Sequence, residues 1–167
     1  MSASPTPAIA LVRRSGVANT IRSYDPPIRH GRERDERPDY GLEAAAALGI
    51  VPERVCKTLV TVADEDLVAA VLPVDRRLDL KALAAAVGAR RAEIALPTVA
   101  ERASGSVVGG ISPLAPRRPW SVVVDAAALV HPTVMISAGR RGLQIELAPA
   151  DLVRLTSAIV AAIGRKG

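Results

Sequence analysis

Val55-Cys56-Lys57-Thr58-Leu59-Val60-Thr61-Val62, then Ala63-Asp64-Glu65-Asp66, then the apolar residues 67–74: this stretch sets the fold class. Its first eight residues are mostly apolar and β-branched, with no Gly or Pro, and read as a buried strand. The polar tetrad is a turn, and residues 67–74 form the returning strand of a hairpin. Lys57 interrupts the first strand. The chain has three lysines among 22 basic residues, so arginine serves wherever a generic positive charge suffices. Two readings of Lys57 stand side by side. Either a compact ammonium is aimed at a particular anion or carbonyl, which a planar guanidinium would not match, or an edge lysine carries its head into water.

Outward from the hairpin, helices alternate with groups of strands. Thr6 and Pro7 provide an N-cap and first helical residue for a short helix carrying Ile9, Leu11 and Val12, which Gly16 ends. Residues 18–24 read as a strand broken by Asp25-Pro26-Pro27. Residues 28–39 carry four Arg against two Glu and two Asp, and the near balance of charge reads as a mobile surface loop. Asp39 caps a helix from Tyr40 to Leu48, stopped by Gly49. Asp79 caps another to Val87, stopped by Gly88, and residues 97–102 form a further short helix. Residues 121–124, 133–136 and 143–147 are further strands. Pro149 opens a last amphipathic helix expected to bury Leu152, Leu155, Ile159 and Ile163. The expected architecture is α+β: residues 6–167 as a single domain, after a disordered tip at residues 1–5. Its core is a mixed or antiparallel sheet, or a barrel-like core, with flanking helices.

Composition excludes several classes. With 49% hydrophobic residues in 167, the chain can build one well-filled core, and with one Trp, two Tyr and no Phe that core is aliphatic. No apolar run reaches the roughly 18 residues that span a bilayer. The N-terminal residues lack the pattern of a secretory signal. One cysteine excludes an internal disulfide, and His30 and His131 have no neighbouring ligand pattern. A cytoplasmic protein without metal or cofactor is the simplest expectation. The net charge of +5 and pI of about 10.1 favour an anionic partner. Arginine pairs at 13–14, 76–77, 90–91, 117–118 and 140–141 read either as positive spots on one face or as ordinary solvated surface.

Two glycine-rich stretches could hold a ligand. In Gly105-Ser106-Val107-Val108-Gly109-Gly110-Ile111-Ser112-Pro113, the paired glycines permit positive φ and close approach to the main chain, and Pro113 stiffens the exit. It matches neither the dinucleotide nor the P-loop pattern, and an ordinary turn competes with a binding loop. In Ser137-Ala138-Gly139-Arg140-Arg141-Gly142 a hairpin connection offers a hydroxyl, free amides and two guanidiniums suited to phosphate. No Ser-His-Asp order is present, so an enzyme built on this chain works by positioning something already reactive.

Val55-Cys56-Lys57-Thr58-Leu59, Val108-Gly109-Gly110-Ile111-Ser112-Pro113-Leu114 and Gly139-Arg140-Arg141-Gly142-Leu143 together resemble the signatures of the YbaK/EbsC-type Cys-tRNA(Pro) deacylases. Thr6-Pro7-Ala8 and Leu78-Asp79-Leu80-Lys81 fit the same pattern, in order, from about residue 6 to residue 163. The resemblance implies the fold of the editing domain of bacterial prolyl-tRNA synthetases. It implies hydrolysis of cysteine mistakenly esterified to tRNA(Pro), acting alone or beside prolyl-tRNA synthetase. Lys57 inherits the catalytic role. Substrate-binding roles pass to Thr58, Tyr24, Tyr40, Gly109, Gly110, Ile111, Ser112, Pro113, Ser137 and the adjoining Gly139. Three departures stand out: Ala138 for a second glycine, Gln144 for a common acidic residue, and a longer charged insert before Asp39.

Such a family works by substrate-assisted chemistry, the cysteine thiol attacking its own ester, with no nucleophile required of the protein. Cys56, beside Lys57, is a rival thiol on sequence alone, although strand alternation turns it away from any pocket that Lys57 enters. Two other functions remain open: a deacylase for another small residue such as alanine or serine, and a tRNA- or synthetase-binding module without turnover. The oligomeric state is not legible.

Overall fold

A computed structural model describes residues 4–27 and 39–167; the charged insert of residues 28–38 and most of the expected disordered tip lie outside the described residues. Helix α1 (Pro7–Ser15) begins as expected. Thr6 accepts a hydrogen bond from the Ile9 amide, Pro7 takes the first turn, and Gly16 closes the helix at φ 75°. Ile9 and Val12 point into the core. Strand β1 (Asn19–Ser23) follows, then α2 (Tyr40–Leu48), whose Asp39 cap accepts from the Leu42 amide and whose end is turned by Gly49.

The hairpin forms as β2 (Cys56–Ala63) and β3 (Asp66–Pro73), in register from Cys56 opposite Pro73 to Ala63 opposite Asp66. Its turn is two residues tighter than the tetrad suggests. Asp64 takes φ 54°, a left-handed conformation that Asp tolerates. Its carboxylate accepts the Arg90 and Arg91 amides. Strand β4 (Arg76–Leu78), α3 (Leu80–Ala86), β5 (Ala92–Ile94) and α4 (Pro97–Ser104) come next. Asp79 caps α3, accepting from the Lys81 and Ala82 amides. Strands β6 (Ser121–Asp125), β7 (Val134–Ser137) and β8 (Leu143–Leu147) lead to α5 (Pro149–Thr156), β9 (Ile159–Ala161) and β10 (Gly164–Lys166).

The described residues form three sheets. A mixed five-stranded sheet has the order β5-β2-β3-β6-β9, an antiparallel sheet the order β1-β8-β7, and β10 pairs with β4. A parallel bridge between Val55 and Met135 links the two larger sheets. The edges stay open among the described residues, so the barrel-like alternative is corrected to open, mixed sheets: three-residue strands β5 and β9 end the large sheet without meeting.

The C-terminal expectation is also corrected. Helix α5 ends at Thr156, because Ser157 turns left-handed at φ 52° and the Ala158 amide reaches back to the Val153 carbonyl. Leu152 is buried as expected, but Ile159 is 41% exposed on β9, which runs parallel to β6. Ile163 is buried in a different cluster from Leu152, with Leu83 and Val123. A four-residue apolar spacing suits a helix, yet here Ile159 opens β9 and Ile163 lies in the link between β9 and β10. Strands β4, β5, β9 and β10 carry no strong period of their own and exist because a neighbour offers an edge.

Side chains of β2 alternate between two cores. Cys56 packs with Val71, Ile136 and Ile145 beneath α1, while Leu59 and Ala63 pack with Leu83 under α3. Val55, one residue before β2, joins Met135 and the Ala44 and Ala45 face of α2. Alternation places Lys57 on the Val55 side and Thr58 on the Cys56 side.

Candidate functional site

Beta2 has a gap along its outer edge. Toward one end Val55 bridges β7; toward the other, residues 61–63 pair with β5 and the Val60 carbonyl accepts from Ala95. Between these, among the described residues, Lys57, Thr58 and Leu59 have strand partners only on the β3 side. The parallel run of β7 beside β2 brings Ser137 to the level of Lys57, two residues beyond the Val55–Met135 bridge. The start of α2 comes within electrostatic reach of Lys57 through Asp39, and Ile111 of the glycine loop packs on Val60 further along the strand.

Lys57 is half-buried and forms no hydrogen bond or ion pair among the described residues. Burial lowers its pKa from the ordinary lysine value. The carboxylates of Asp39 and Asp75 oppose that shift and Arg77 adds to it. Asp39 is the cap of α2, so the start of that helix lies within electrostatic reach of the lysine. Thr58 points the other way, its Oγ1 buried without a hydrogen-bond partner. Lys57 and Thr58 are therefore neighbours in sequence on opposite faces, and the sequence expectation that pairs them is met only through the backbone.

Cys56 is 3% exposed and packed in the main core. Burial pushes its thiol pKa up to about 12, with Asp125 and Asp75 adding to the effect. A thiol held neutral inside an apolar core is a poor nucleophile.

The two tyrosines and the two glycine loops meet. Tyr24, Pro26, Pro27, Tyr40, Glu43 and Arg141 line an open cleft of about 210 Å³. The Tyr24 amide donates to the Gly142 carbonyl at 2.9 Å, which ties the end of β1 to the β7–β8 loop. Burial raises the Tyr24 phenol pKa, a backbone hydrogen bond at Gly142 acting against it. Gly109 takes φ 95°, and a Cβ there would lie 2.9 Å from the Tyr40 ring and from Arg141 Nε. Gly110 does not adopt positive φ. It is glycine because a Cβ would sit 2.7 Å from the Arg140 carbonyl carbon and the Arg141 nitrogen. Close approach, rather than left-handed geometry, is what that second glycine provides.

Other expected site residues support the loop from behind. Ile111 is buried with Val60, Ala95 and Ala100. The Ser112 hydroxyl, 4% exposed as a residue, accepts from the Leu114 amide, and the Pro113 carbonyl accepts from Trp120 Nε1 at 3.4 Å. Gly110 donates its own amide to the Val107 carbonyl at 3.0 Å, so it is not free to hold a ligand, whereas the Gly109 N–H meets no acceptor among the described residues. At the second loop, the Ser137 hydroxyl lies 3.4 Å from Gln144 Nε2, and the Gln144 Oε1 is buried without a partner. Thr6 donates its hydroxyl to the Ala138 carbonyl and lies against Gly139, which takes φ 97°. Ala138 is fully buried in the main core, which explains a side chain at that position.

The expectation of two phosphate-ready guanidiniums is corrected. Arg140 is exposed and unbonded among the described residues, but Arg141 is engaged: Nε donates to the Val108 carbonyl at 2.8 Å, Nη2 to the Tyr40 hydroxyl at 3.0 Å, and the guanidinium lies 4.7 Å from the Tyr40 ring centre. Glu43, Asp39 and Pro26 also shape this end of the protein and carried no motif of their own. The sequence marks Asp39 as a helix cap and Pro26 as a strand breaker, and Glu43 only by its proximity to Tyr40.

The sequence matches the family described as aminoacyl-tRNA editing domain over residues 39–155. A protein of Enterococcus faecalis, provisionally named a Cys-tRNA(Pro)/Cys-tRNA(Cys) deacylase, EbsC, is 38% identical over 123 residues, covering 73% of this chain and 75% of that protein. A crystal structure provisionally assigned as a trans-editing enzyme for prolyl-tRNA synthetase superposes with a TM-score of 0.80 at 24% identity, over 98% of this chain and 99% of that one. A hypothetical protein of known structure superposes equally well, at TM-score 0.80 and 25% identity, over 93% and 97% of the two chains. The structural likenesses speak for the fold. The family match takes in β2, both glycine loops and the Tyr40, Glu43 and Arg141 side of the cleft, and the chain belongs to the aminoacyl-tRNA editing domain family.

Proposed function

We propose that the protein is an aminoacyl-tRNA hydrolase that removes cysteine from mischarged Cys-tRNA(Pro), with the substrate's own thiol as the nucleophile. The observation that carries this reading is the state of Cys56. The chain's single thiol is buried, faces the main core, and has its pKa pushed up to about 12. The Thr58 hydroxyl has no hydrogen-bond partner and the Ser137 hydroxyl meets only Gln144 among the described residues, which supports a reaction whose nucleophile arrives with the substrate.

The step balances without a co-reactant. The substrate sulfur attacks its own ester carbonyl carbon, forming a C–S bond, and the bond from that carbon to the ribose oxygen breaks. The thiol proton passes to the leaving ribose oxygen, and a thiolactone departs to be hydrolysed in water. An intramolecular thiol already has a high effective concentration, so the protein need only hold the reactive rotamer and stabilise the developing oxyanion. Lys57 supplies a poorly solvated positive charge for the terminal nucleotide or aminoacyl group. The Gly109 amide is a main-chain donor of the glycine loop without an acceptor among the described residues, and Tyr24 and Tyr40 flank the cleft. Proline has no thiol and is spared by chemistry that an apolar pocket alone could not supply.

A thiol-dependent reaction reads the amino acid and is indifferent to the tRNA body. The E. faecalis relative's name couples Cys-tRNA(Pro) with Cys-tRNA(Cys). Choice between the two therefore falls to a partner, and we propose prolyl-tRNA synthetase, which presents only tRNA(Pro).

The test is deacylation of Cys-, Ala-, Ser- and Pro-tRNA(Pro), together with S-methylcysteinyl-tRNA(Pro). Hydrolysis of the cysteinyl ester alone is expected. Cleavage of the S-methyl substrate at a similar rate would overturn substrate assistance, preference for the alanyl or seryl ester would assign a different substrate, and binding without turnover would make the chain a tRNA-binding module.

A further inference from the structure

Arg141 joins three parts of the site that lie far apart in sequence. One guanidinium touches the first residue of α2, through the hydroxyl and ring of Tyr40, and the glycine loop, through the Val108 carbonyl. Its own backbone belongs to the β7–β8 loop, which presses on Gly110 so closely that no Cβ fits between them. The Nε bond to Val108 has a further consequence. A trans peptide is planar, so fixing the Val108 carbonyl fixes the Gly109 N–H, which points to the opposite side of the same plane. That N–H has no acceptor among the described residues, as is also true of the Val107, Ile111 and Ser112 amides of the loop. Glu101 holds the other end of the segment, accepting the Val108 amide at 2.9 Å.

We infer that Arg141 is a positioning residue for the deacylation site: its planar fork and its stacking on Tyr40 set the orientation of the Val108–Gly109 peptide. The inference rests on the proposed deacylase reading for its kinetic part and on geometry alone for its structural part. A lysine could not substitute, because an ammonium has neither the planar face for the ring nor the two divergent donors that reach Val108 and Tyr40 together. Arg141 is exposed, so its effect on global stability is small, while its effect on the loop is direct.

Trp120 makes the loop observable without any substrate. It is the only tryptophan in the chain, it donates to the Pro113 carbonyl, and it packs on the cluster of Ile111 and Val108. The experiment compares Arg141→Ala, Arg141→Lys and Tyr40→Phe in the full chain, by acrylamide quenching of Trp120, thermal unfolding and single-turnover deacylation of Cys-tRNA(Pro).

For Arg141→Ala we expect quenching to rise, the melting temperature to stay nearly constant, and kcat to fall roughly 10- to 100-fold with KM little changed, since a misplacement on the order of 1 Å can cost about 100-fold. Arg141→Lys should fail to restore kcat, and Tyr40→Phe should add little to Arg141→Ala, because one contact is shared. A raised KM with a shallower salt dependence and unchanged quenching would mean that Arg141 contacts tRNA phosphate, and would overturn the inference. Full activity of Arg141→Lys would overturn it as well. If the unmodified protein does not deacylate Cys-tRNA(Pro), the functional reading fails, and the quenching and unfolding data still decide whether Arg141 holds the loop.

Discussion

Replacing Gly110 with alanine adds one methyl group where the structure has no room for it. The new Cβ would lie 2.7 Å from the Arg140 carbonyl carbon, 2.7 Å from the Arg141 nitrogen and 2.9 Å from the Arg140 Cα. All three are backbone atoms, so no side-chain rotation relieves the contact. Ordinary carbon contacts begin near 3.4 Å, and the two loops must part by roughly 0.7 Å. Overpacking of this kind costs about 1–3 kcal/mol in a core, and a loop that can shift should fall near the lower limit. In a chain of this size that is a loss of about 2–4 °C in Tm per kcal/mol. The displacement falls on the peptide next to the free Gly109 amide, and there an error approaching 1 Å is expected to cost on the order of 100-fold in kcat. Single-turnover deacylation of Cys-tRNA(Pro) and thermal unfolding, measured on the same preparation, separate the two effects. Gly49→Ala is the control. Gly49 sits at φ 67° with nothing within 4 Å of a Cβ, so strain of about 1–2 kcal/mol should appear in Tm with activity intact. A folded Gly110→Ala protein with normal turnover would show that the contact between the two loops has no part in the chemistry.

Lys57→Ala should remove most deacylase activity while leaving Tm unchanged or raised, because the lysine's folded pKa lies below its unfolded one. The penalty for holding it charged is fully present below the folded pKa and disappears as pH rises through the unfolded value; near-normal turnover by a folded variant would end its catalytic assignment. Cys56→Ala should keep most activity and lose about 1 kcal/mol from a small buried void, as read by deacylation and denaturant unfolding; a folded but inactive variant would hand the mechanism to the protein's own thiol. Glu146 accepts from Thr133 and pairs with Arg22 and Arg54, and these contacts hold its carboxyl below the usual carboxylate range, the Thr133 bond contributing most. Its contribution is present above the unfolded pKa and is lost as pH falls through the folded one, so Glu146→Gln should lower Tm at pH 7 and converge with the unmodified protein in acid. Parallel Tm curves from pH 7 to pH 2 would refute that account.

Local chemistry is what the sequence could determine alone. Helices α1 and α2 could be read with their caps, because Thr6-Pro7, Asp39, Gly16 and Gly49 act within one turn of themselves. The central hairpin was legible for the same reason: its period, its polar turn and its freedom from Gly and Pro are properties of contiguous residues. The ordered motifs around Lys57, Gly109-Gly110 and Gly139 pointed to the family before any contact was known. Tertiary structure decided whatever depends on a partner distant in the chain. Residues 159–161 became a strand because β6 offered a parallel edge, and Ser157 broke the helix that the apolar spacing suggested. Gly110 needs to be glycine because another loop's backbone lies against it, a requirement invisible in its own neighbourhood. Arg140 and Arg141 are identical in sequence terms, yet only Arg141 meets Tyr40 and Val108, 101 and 33 residues away. A side chain's propensity is set by its own covalent structure, whereas its role is set by what the rest of the chain brings within hydrogen-bonding distance.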